Sequence, residues 1–451
     1  MIDLLKKNRI FIFGVTVFLF FAFTFNVFGV VTTDEFTLNF KDSESLVSNQ
    51  IVCKGSLFSG QLLGYVKAPA TTDAEKSCVK KNLEPYSSQF GLQGRSYTLL
   101  YKVLSKISDV SPKSFILIAQ LMTALASSVT LSLLVLWVKL RIGRPESIIV
   151  SLLLALSPML VSFARNLYWA LPLMFLPLIF TLFFYRYKTK KKYQVTYSIT
   201  LGVLLFLRFL NGYEYVTSIT IMIAAAVGYF LYMENKQLND YIKEFAKVFA
   251  VTLVAFSSAL GVHIAALQGS TGSISKSVGI IKSRAVERST ASASYLIFPY
   301  GNLKHMAPDV YELGDYYVDL DDKSRSSSEL WSNSVAILNY ALLPVFRLPV
   351  GLTQPFSTLI YSVTMFAIVL SIICLKRGSL FAKKRIRQIE ALYVSCAIGF
   401  IGFLSWLVLA RSHSLVHAHI NGILLYLPFA IFGYMILSIY FHKIIRRAIR
   451  R

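Results

Sequence analysis

Apolar residues in this chain come in long blocks separated by short polar links, without the alternation of a half-buried strand. A block of about twenty residues, wound as a helix, matches the hydrocarbon core of a bilayer. Within lipid only helices and closed barrels satisfy their backbone groups, and the missing dyad pattern excludes the barrel. Ten blocks are recognisable, at 10–31, 114–138, 147–164, 169–185, 195–211, 216–232, 248–267, 355–374, 391–410 and 422–442. The expected fold is an all-α polytopic membrane protein of about ten transmembrane helices, residues 1–451 forming one domain. The first block follows Lys6, Lys7 and Arg9. It is longer than the apolar core of a signal peptide and no A-x-A site follows it, so a retained first helix is expected.

Composition agrees: 55% of the 451 residues are hydrophobic and 14% aromatic. The formal charge of +23 would suggest nucleic acid in a soluble chain, but here its distribution decides. The segments 1–9, 139–146, 186–194, 233–247, 375–390 and 443–451 hold 25 of the 46 Lys and Arg residues. These are the segments that ten spans would leave on one side, and the positive-inside rule makes that side the cytoplasm, with both termini there. The basic runs KTKKKY, FAKKRIR and HKIIRRAIRR then read as topology determinants and headgroup contacts, and no nucleic-acid partner is expected.

Two links are long, and both fall on the outer side: 32–113 and 268–349. Connections of that length tend to be functional. The first contains Tyr97, Leu100, Tyr101, Val103, Leu104 and Ile107 at helical spacing, which predicts an amphipathic helix on the bilayer surface, preceded by a turn at QFGLQGR. It also contains Cys53 and Cys78, and an oxidising outer compartment predicts a disulfide between them. Cys374 and Cys396 fall in spans, as packing residues. The second long link is expected to carry a helix from Val278 to Arg288 and an acidic stretch from Ala307 to Asp322.

Chemistry-bearing residues gather on the outer side. Asp34 and Glu35 follow the first span in VTTDEF; Arg165 and Tyr168 lie in the ARNLYWA link; Arg208 and Glu214 flank the next outer link; His263 lies near a span end. Three of the six histidines, His413, His417 and His419, share RSHSLVHAHIN with Arg411. Ionisable groups at membrane depth are costly and mark functional sites by default. Moving a sugar from a polyprenyl phosphate needs a base for the acceptor hydroxyl and cations for the departing phosphate. Asp34 is the candidate base with Glu35 beside it. Arg208, Lys282, Arg284, Arg288 and Arg411 are candidates for the phosphate; Arg165, Tyr168, Glu214, His413, His417 and His419 are candidates for sugar or acceptor. The bland alternatives are a solvated helix end at Asp34 and Glu35, and interfacial belt aromatics at Tyr168 and Trp169.

With TTDEF at the head of a large outer loop, after a short N-terminus and a first span, the chain resembles the GT-C superfamily of integral membrane glycosyltransferases. Its layout is similar to bacterial O-antigen-modifying glucosyltransferases, aminoarabinose transferases and relatives of protein mannosyltransferases. The resemblance implies an inverting enzyme of the bacterial inner membrane, with its active site on the periplasmic face. A polyprenyl-phosphate-linked sugar would be the donor, a glycan or protein the acceptor, and Asp34 the general base. Metal-dependent members carry a second acidic motif in the second outer loop, where this chain reads ARNLYWA, so support for Mg²⁺ or Mn²⁺ is weak. Two rivals fit the same layout: an O-antigen polymerase or ligase working through Arg and His, and a lipid-linked sugar flippase without chemistry.

Overall fold

The computed structural model describes residues 2–31, 41–52, 63–66, 83–186, 191–290, 340–341, 343–347, 362–410, 413–414 and 418–450. Among these residues the chain is helical apart from a two-stranded antiparallel ribbon, β1 (Leu63–Val66) paired with β2 (Leu83–Tyr86). Each of the ten predicted blocks contains a helix. They are α2 (Arg9–Phe25), α5 (Pro112–Arg141), the pair α6 (Arg144–Ala155) and α7 (Pro158–Ala164), α8 (Leu171–Phe184), α9 (Lys191–Asn211), α10 (Val216–Met233), α11 (Leu238–Thr271), α13 (Val363–Leu380), α14 (Lys383–Leu409) and α15 (Ile423–Ile449). The two long links add α3 (Lys41–Val52), α4 (Leu92–Ile107) and α12 (Ile274–Thr290), and a short α1 (Ile2–Lys7) leads into α2.

Six of these helices are long and apolar enough to cross a membrane, so this is a helical membrane protein. The bent pair α6 and α7 would make a seventh. The blocks depart from straight spans where proline intervenes. Ser157-Pro158 breaks the third block at an angle of 71°, as expected where a proline's missing N–H and ring end a helix. The last block carries a π turn, Tyr426–Ala430, around Pro428. The seventh block is not confined to 248–267: α11 runs unbroken for 34 residues, its start capped by reciprocal bonds between Gln237 and Asp240.

Helix α5 organises the bundle. Ser111 accepts the Ser114 N–H at 3.1 Å, Pro112 opens the helix, and Lys139 and Arg141 lie in its last turn, where cations offset the helix dipole. Its flank packs against α2, where Thr16 donates to Ser132 at 3.0 Å. The broadest helix contact joins α10 to α14 and uses small residues, which let backbones approach. Ser218 donates to the Gly402 carbonyl at 2.8 Å and Ser395 to the Ala225 carbonyl at 2.9 Å. A β-carbon at Gly402 would meet Ile221 at 3.2 Å, so glycine permits this approach.

Both chain ends reach the same end of the bundle. Lys139, near the C-terminus of α5, donates to Asn8 at 2.8 Å, while His442 in the last helix meets Glu146 at 3.0 Å.

The amphipathic helix of the first loop is longer than its predicted second half, starting at Leu92. It does not offer its whole apolar face to lipid. Tyr101 is buried against Phe115, and Tyr97, Leu100 and Leu104 pack on the core, leaving Val103 and Ile107 exposed.

Candidate functional site

The ARNLYWA link is a compact turn made by its own asparagine. Asn166 accepts the N–H groups of Tyr168 at 2.9 Å and Trp169 at 3.1 Å, mimicking a backbone turn with its side chain. Ala170 adopts a left-handed conformation before α8 begins. Tyr168 and Trp169 are therefore buried rather than placed in an interfacial belt, a correction to the bland reading of these aromatics. The cause is tertiary: the link folds inward beneath α4 and the α9–α10 turn. Its Tyr168 carbonyl accepts Nε2 of Gln93 at 2.8 Å and Nδ2 of Asn211 at 3.4 Å.

Arg208, Glu214 and Tyr168 come together. Arg208 is only 1% exposed; its guanidinium donates to the carbonyls of Gly212 and Glu214, both at 3.1 Å. It also lies within electrostatic reach of the Glu214 carboxylate and the Tyr168 and Tyr215 hydroxyls. A buried charge persists only when compensated, and this one holds the turn that aims Glu214. Part of the guanidinium assigned to a donor phosphate is thus spent on the protein's own backbone. The Tyr168 hydroxyl donates to Oε1 of Glu214 at 3.4 Å. A β-carbon on Gly212 would fall 2.4 Å from Oε1 of Gln89 and 2.6 Å from Oε2 of Glu214, so the glycine lets these two side-chain ends close over the backbone in their present positions.

Around this centre lie buried polar atoms with no hydrogen-bond partner among the described residues: both amide atoms of Gln89, Oε1 of Gln93, Oδ1 of Asn211, Nε of Arg208, Nε1 of Trp169 and both ring nitrogens of His263. His263 lies against the Tyr213 ring, 5.5 Å between centroids. Buried polar groups in native proteins are nearly always hydrogen-bonded, so this many in one place calls for an explanation.

A second carboxylate, absent from the sequence candidates, joins from the first loop. Glu44 on α3 accepts the Leu167 N–H at 3.2 Å and a hydrogen bond from Gln120 on α5, with Arg165 close by. Burial pushes the Glu44 carboxyl up from its ordinary value; the bonds from Gln120 and Leu167 and the Arg165 charge oppose that only in part. Burial also pulls Arg165 down, against the Glu44 charge. Nearby, Arg95 is buried with its Nε on the Phe90 carbonyl at 3.1 Å and its guanidinium 4.4 Å from the Phe90 ring centre.

The far side of the site reaches the histidine segment. Trp169 stacks on Tyr215 at 5.6 Å, the Tyr215 hydroxyl donates to Oδ1 of Asn421 at 2.9 Å, and Asn421 donates to the His413 carbonyl at 3.2 Å. Tyr215 is held at φ 68°, a left-handed conformation costly for a bulky residue, by that stack and by the edge of Trp406.

Tyr168, Arg208 and Glu214 thus share one buried network, with half-buried Arg165 and His413 at its two margins. Lys282 and Arg284 do not join the buried groups; they are exposed on α12. Asp34, Glu35, Cys53, Cys78, Arg411 and His417 lie outside the described residues, as do the side chains of Arg288 and His419. Among the described residues no group of three or more His, Cys, Asp or Glu is placed to hold a metal ion.

Gln89, Gln93, Asn211, Glu44 and Asn421 escaped sequence reasoning. The first two lie in QFGLQGR, which reads as a turn, and a polar residue in a loop has no periodicity to mark it as buried. Comparison with family models, with curated proteins and with solved structures finds no match.

Proposed function

We propose that this chain is a membrane glycosyltransferase of GT-C type, with about ten spans. It would move a sugar from a polyprenyl-phosphate-linked donor to a glycan or protein acceptor on the periplasmic face of a bacterial inner membrane. One observation carries the reading: the cluster of buried amide and ring nitrogen and oxygen atoms around Glu214, Arg208 and Tyr168 that find no partner among the described residues. A sugar presents hydroxyl donors and acceptors on every side, and such a set of fixed polar atoms beside aromatic rings suits it.

The position of the cluster supports the same reading. Glu44 meets α5 at Gln120, whereas the chain ends meet the same helix near Lys139. Nineteen residues of helix separate these points, about 28 Å at 1.5 Å per residue, close to the roughly 30 Å hydrocarbon thickness. With basic residues and both termini on the cytoplasmic side, the polar cluster faces the periplasm.

In the proposed step Asp34, assisted by Glu35, takes the acceptor hydroxyl proton. The oxygen attacks the anomeric carbon, and the carbon–oxygen bond to the polyprenyl phosphate breaks with inversion. The leaving phosphate takes the bonding pair, with Arg288 and Arg411 as the cations proposed to stabilise it; Arg208 holds the turn of Glu214, and Lys282 and Arg284 stand exposed on α12. Glu214, Tyr168, Arg165 and the histidines His413, His417 and His419 hold the sugar or acceptor.

Binding tests the reading. Purified protein in nanodiscs is expected to retain a short-chain polyprenyl-phosphate hexose or pentose, and Glu214→Gln is expected to weaken that retention. Retention of no member of a broad donor panel by a monodisperse wild-type sample would count against it. Binding with donor movement across vesicles but no covalent product would favour a flippase.

A further inference from the structure

The end of the bundle that holds both chain ends contains a separate cavity of about 620 Å³. Arg141, Arg186, Lys384 and Arg385 line it, with Glu234 as the one acidic wall residue. Basic residues at helix ends are what membrane orientation alone would produce. Here, however, they are drawn from four helices around one half-open cavity: Arg141 from the end of α5, Arg186 from just beyond α8, Glu234 from just beyond α10, and Lys384 and Arg385 from the start of α14.

Two of the polar groups are fixed in place by the protein. Glu146, 1% exposed, accepts from Arg385 at 2.8 Å, and Arg385 donates further to the Ile142 carbonyl at 3.0 Å and to Gln388 at 2.8 Å. Gln388 in turn donates to the Arg141 carbonyl at 2.8 Å. The buried Tyr229 hydroxyl hydrogen-bonds Gln388, and Arg141, Arg186 and Arg385 gather their charges around it. Glu146 offsets Arg385, and Arg186 stands a loose 3.9 Å from Glu234. Of the lining residues four are cationic and one is acidic, an excess of positive charge with the Tyr229 hydroxyl at its floor.

The remaining wall is apolar: Leu140, Ile142, Phe230 and Met233. A purely ionic surface would attract any anion, but this pairing of cations with a greasy wall suits an amphiphile. We propose that the cavity binds the phosphate headgroup of an anionic phospholipid from the leaflet at this end of the bundle, distinct from the polar cluster about 28 Å away along α5. Arg141, Lys384 and Arg186 contact the phosphate, Tyr229 donates to it, and the first acyl carbons lie along Leu140 and Met233.

The test is native mass spectrometry of the full chain, titrated in detergent with phosphatidylglycerol or with phosphatidylcholine. Wild type is expected to bind phosphatidylglycerol at least tenfold more tightly. The double variant Arg141→Ala, Lys384→Ala, which spares the Arg385–Glu146 pair, is expected to lose roughly fivefold per cation removed, from about 1 kcal/mol for each. The control Arg446→Ala, Arg447→Ala, on exposed basic residues of the last helix, is expected to bind as wild type does. Equal affinity for the two lipids, or equal loss in control and cavity variants, would overturn the proposal. Displacement of phosphatidylglycerol by micromolar glycerol phosphate would overturn the lipid assignment in favour of a soluble phosphate. Size-exclusion profiles establish that each variant is folded.

Discussion

The carboxylate of Glu44 accepts the backbone N–H of Leu167 at 3.2 Å across 123 residues of sequence. This bond ties α3 of the first long link to the turn that buries Tyr168 and Trp169, so α3 forms part of the wall of the site. Burial raises the Glu44 carboxyl above its unfolded-chain value. The fold therefore holds the proton more tightly than the unfolded chain does. Its contribution to stability is complete below the unfolded value and is lost as pH rises through the raised one. Thermal stability in detergent, followed by size-exclusion fluorescence from acid to neutral pH, is expected to fall over that window. Glu44→Gln should flatten the slope; an unchanged slope would remove Glu44 as its source.

Gly212 lies beneath Gln89 and Glu214, and Gly212→Ala would place a methyl group inside contact distance of both. Both contacts are ends of flexible side chains that can turn aside, at the cost of the Tyr168–Glu214 hydrogen bond. A stability loss of about 1 kcal/mol is expected, with donor retention falling further than stability. Thermal shift and binding measured on the same sample separate the two effects.

Tyr215 keeps a left-handed backbone while stacked on Trp169 and bonded to Asn421. Tyr215→Phe preserves the stack and leaves the Asn421 oxygen without its donor. A loss of about 1–3 kcal/mol is expected for an orphaned buried acceptor. Asn421→Ala should cost more, because it also removes the bond to the His413 carbonyl, and the double variant less than the two together, because the Tyr215–Asn421 bond is lost in each single variant. Strict additivity in the thermal midpoints would contradict the coupling.

The ten blocks were legible because hydropathy over about twenty residues is a strong signal, and each one holds a helix. Their interruptions were partly legible, since Pro158 and Pro428 are plain in the sequence, but which prolines break a helix depends on the packing around them. At the site, Arg208 and Glu214 stood out as charges beside apolar runs, as did Arg165 and His413. Glu44 did not, because KDSESL has the composition of a solvated loop and only Gln120, Leu167 and Arg165, distant in sequence, make it a buried group. Tyr168 and Trp169 illustrate the opposite difficulty: aromatics at a span boundary have the same composition in a lipid belt as in a core, and here the Asn166 turn carries them inward.

Sugar transfer at the outer cluster is the central claim, and its most direct test works whatever the acceptor is. Surface polysaccharide and envelope protein from the native host are compared by mass spectrometry for wild type, Asp34→Asn and Glu214→Gln, at matched expression. The account predicts that a hexose- or pentose-sized increment present in wild type disappears in both variants. An unchanged glycan profile in both, with the proteins folded and in the membrane, would contradict it.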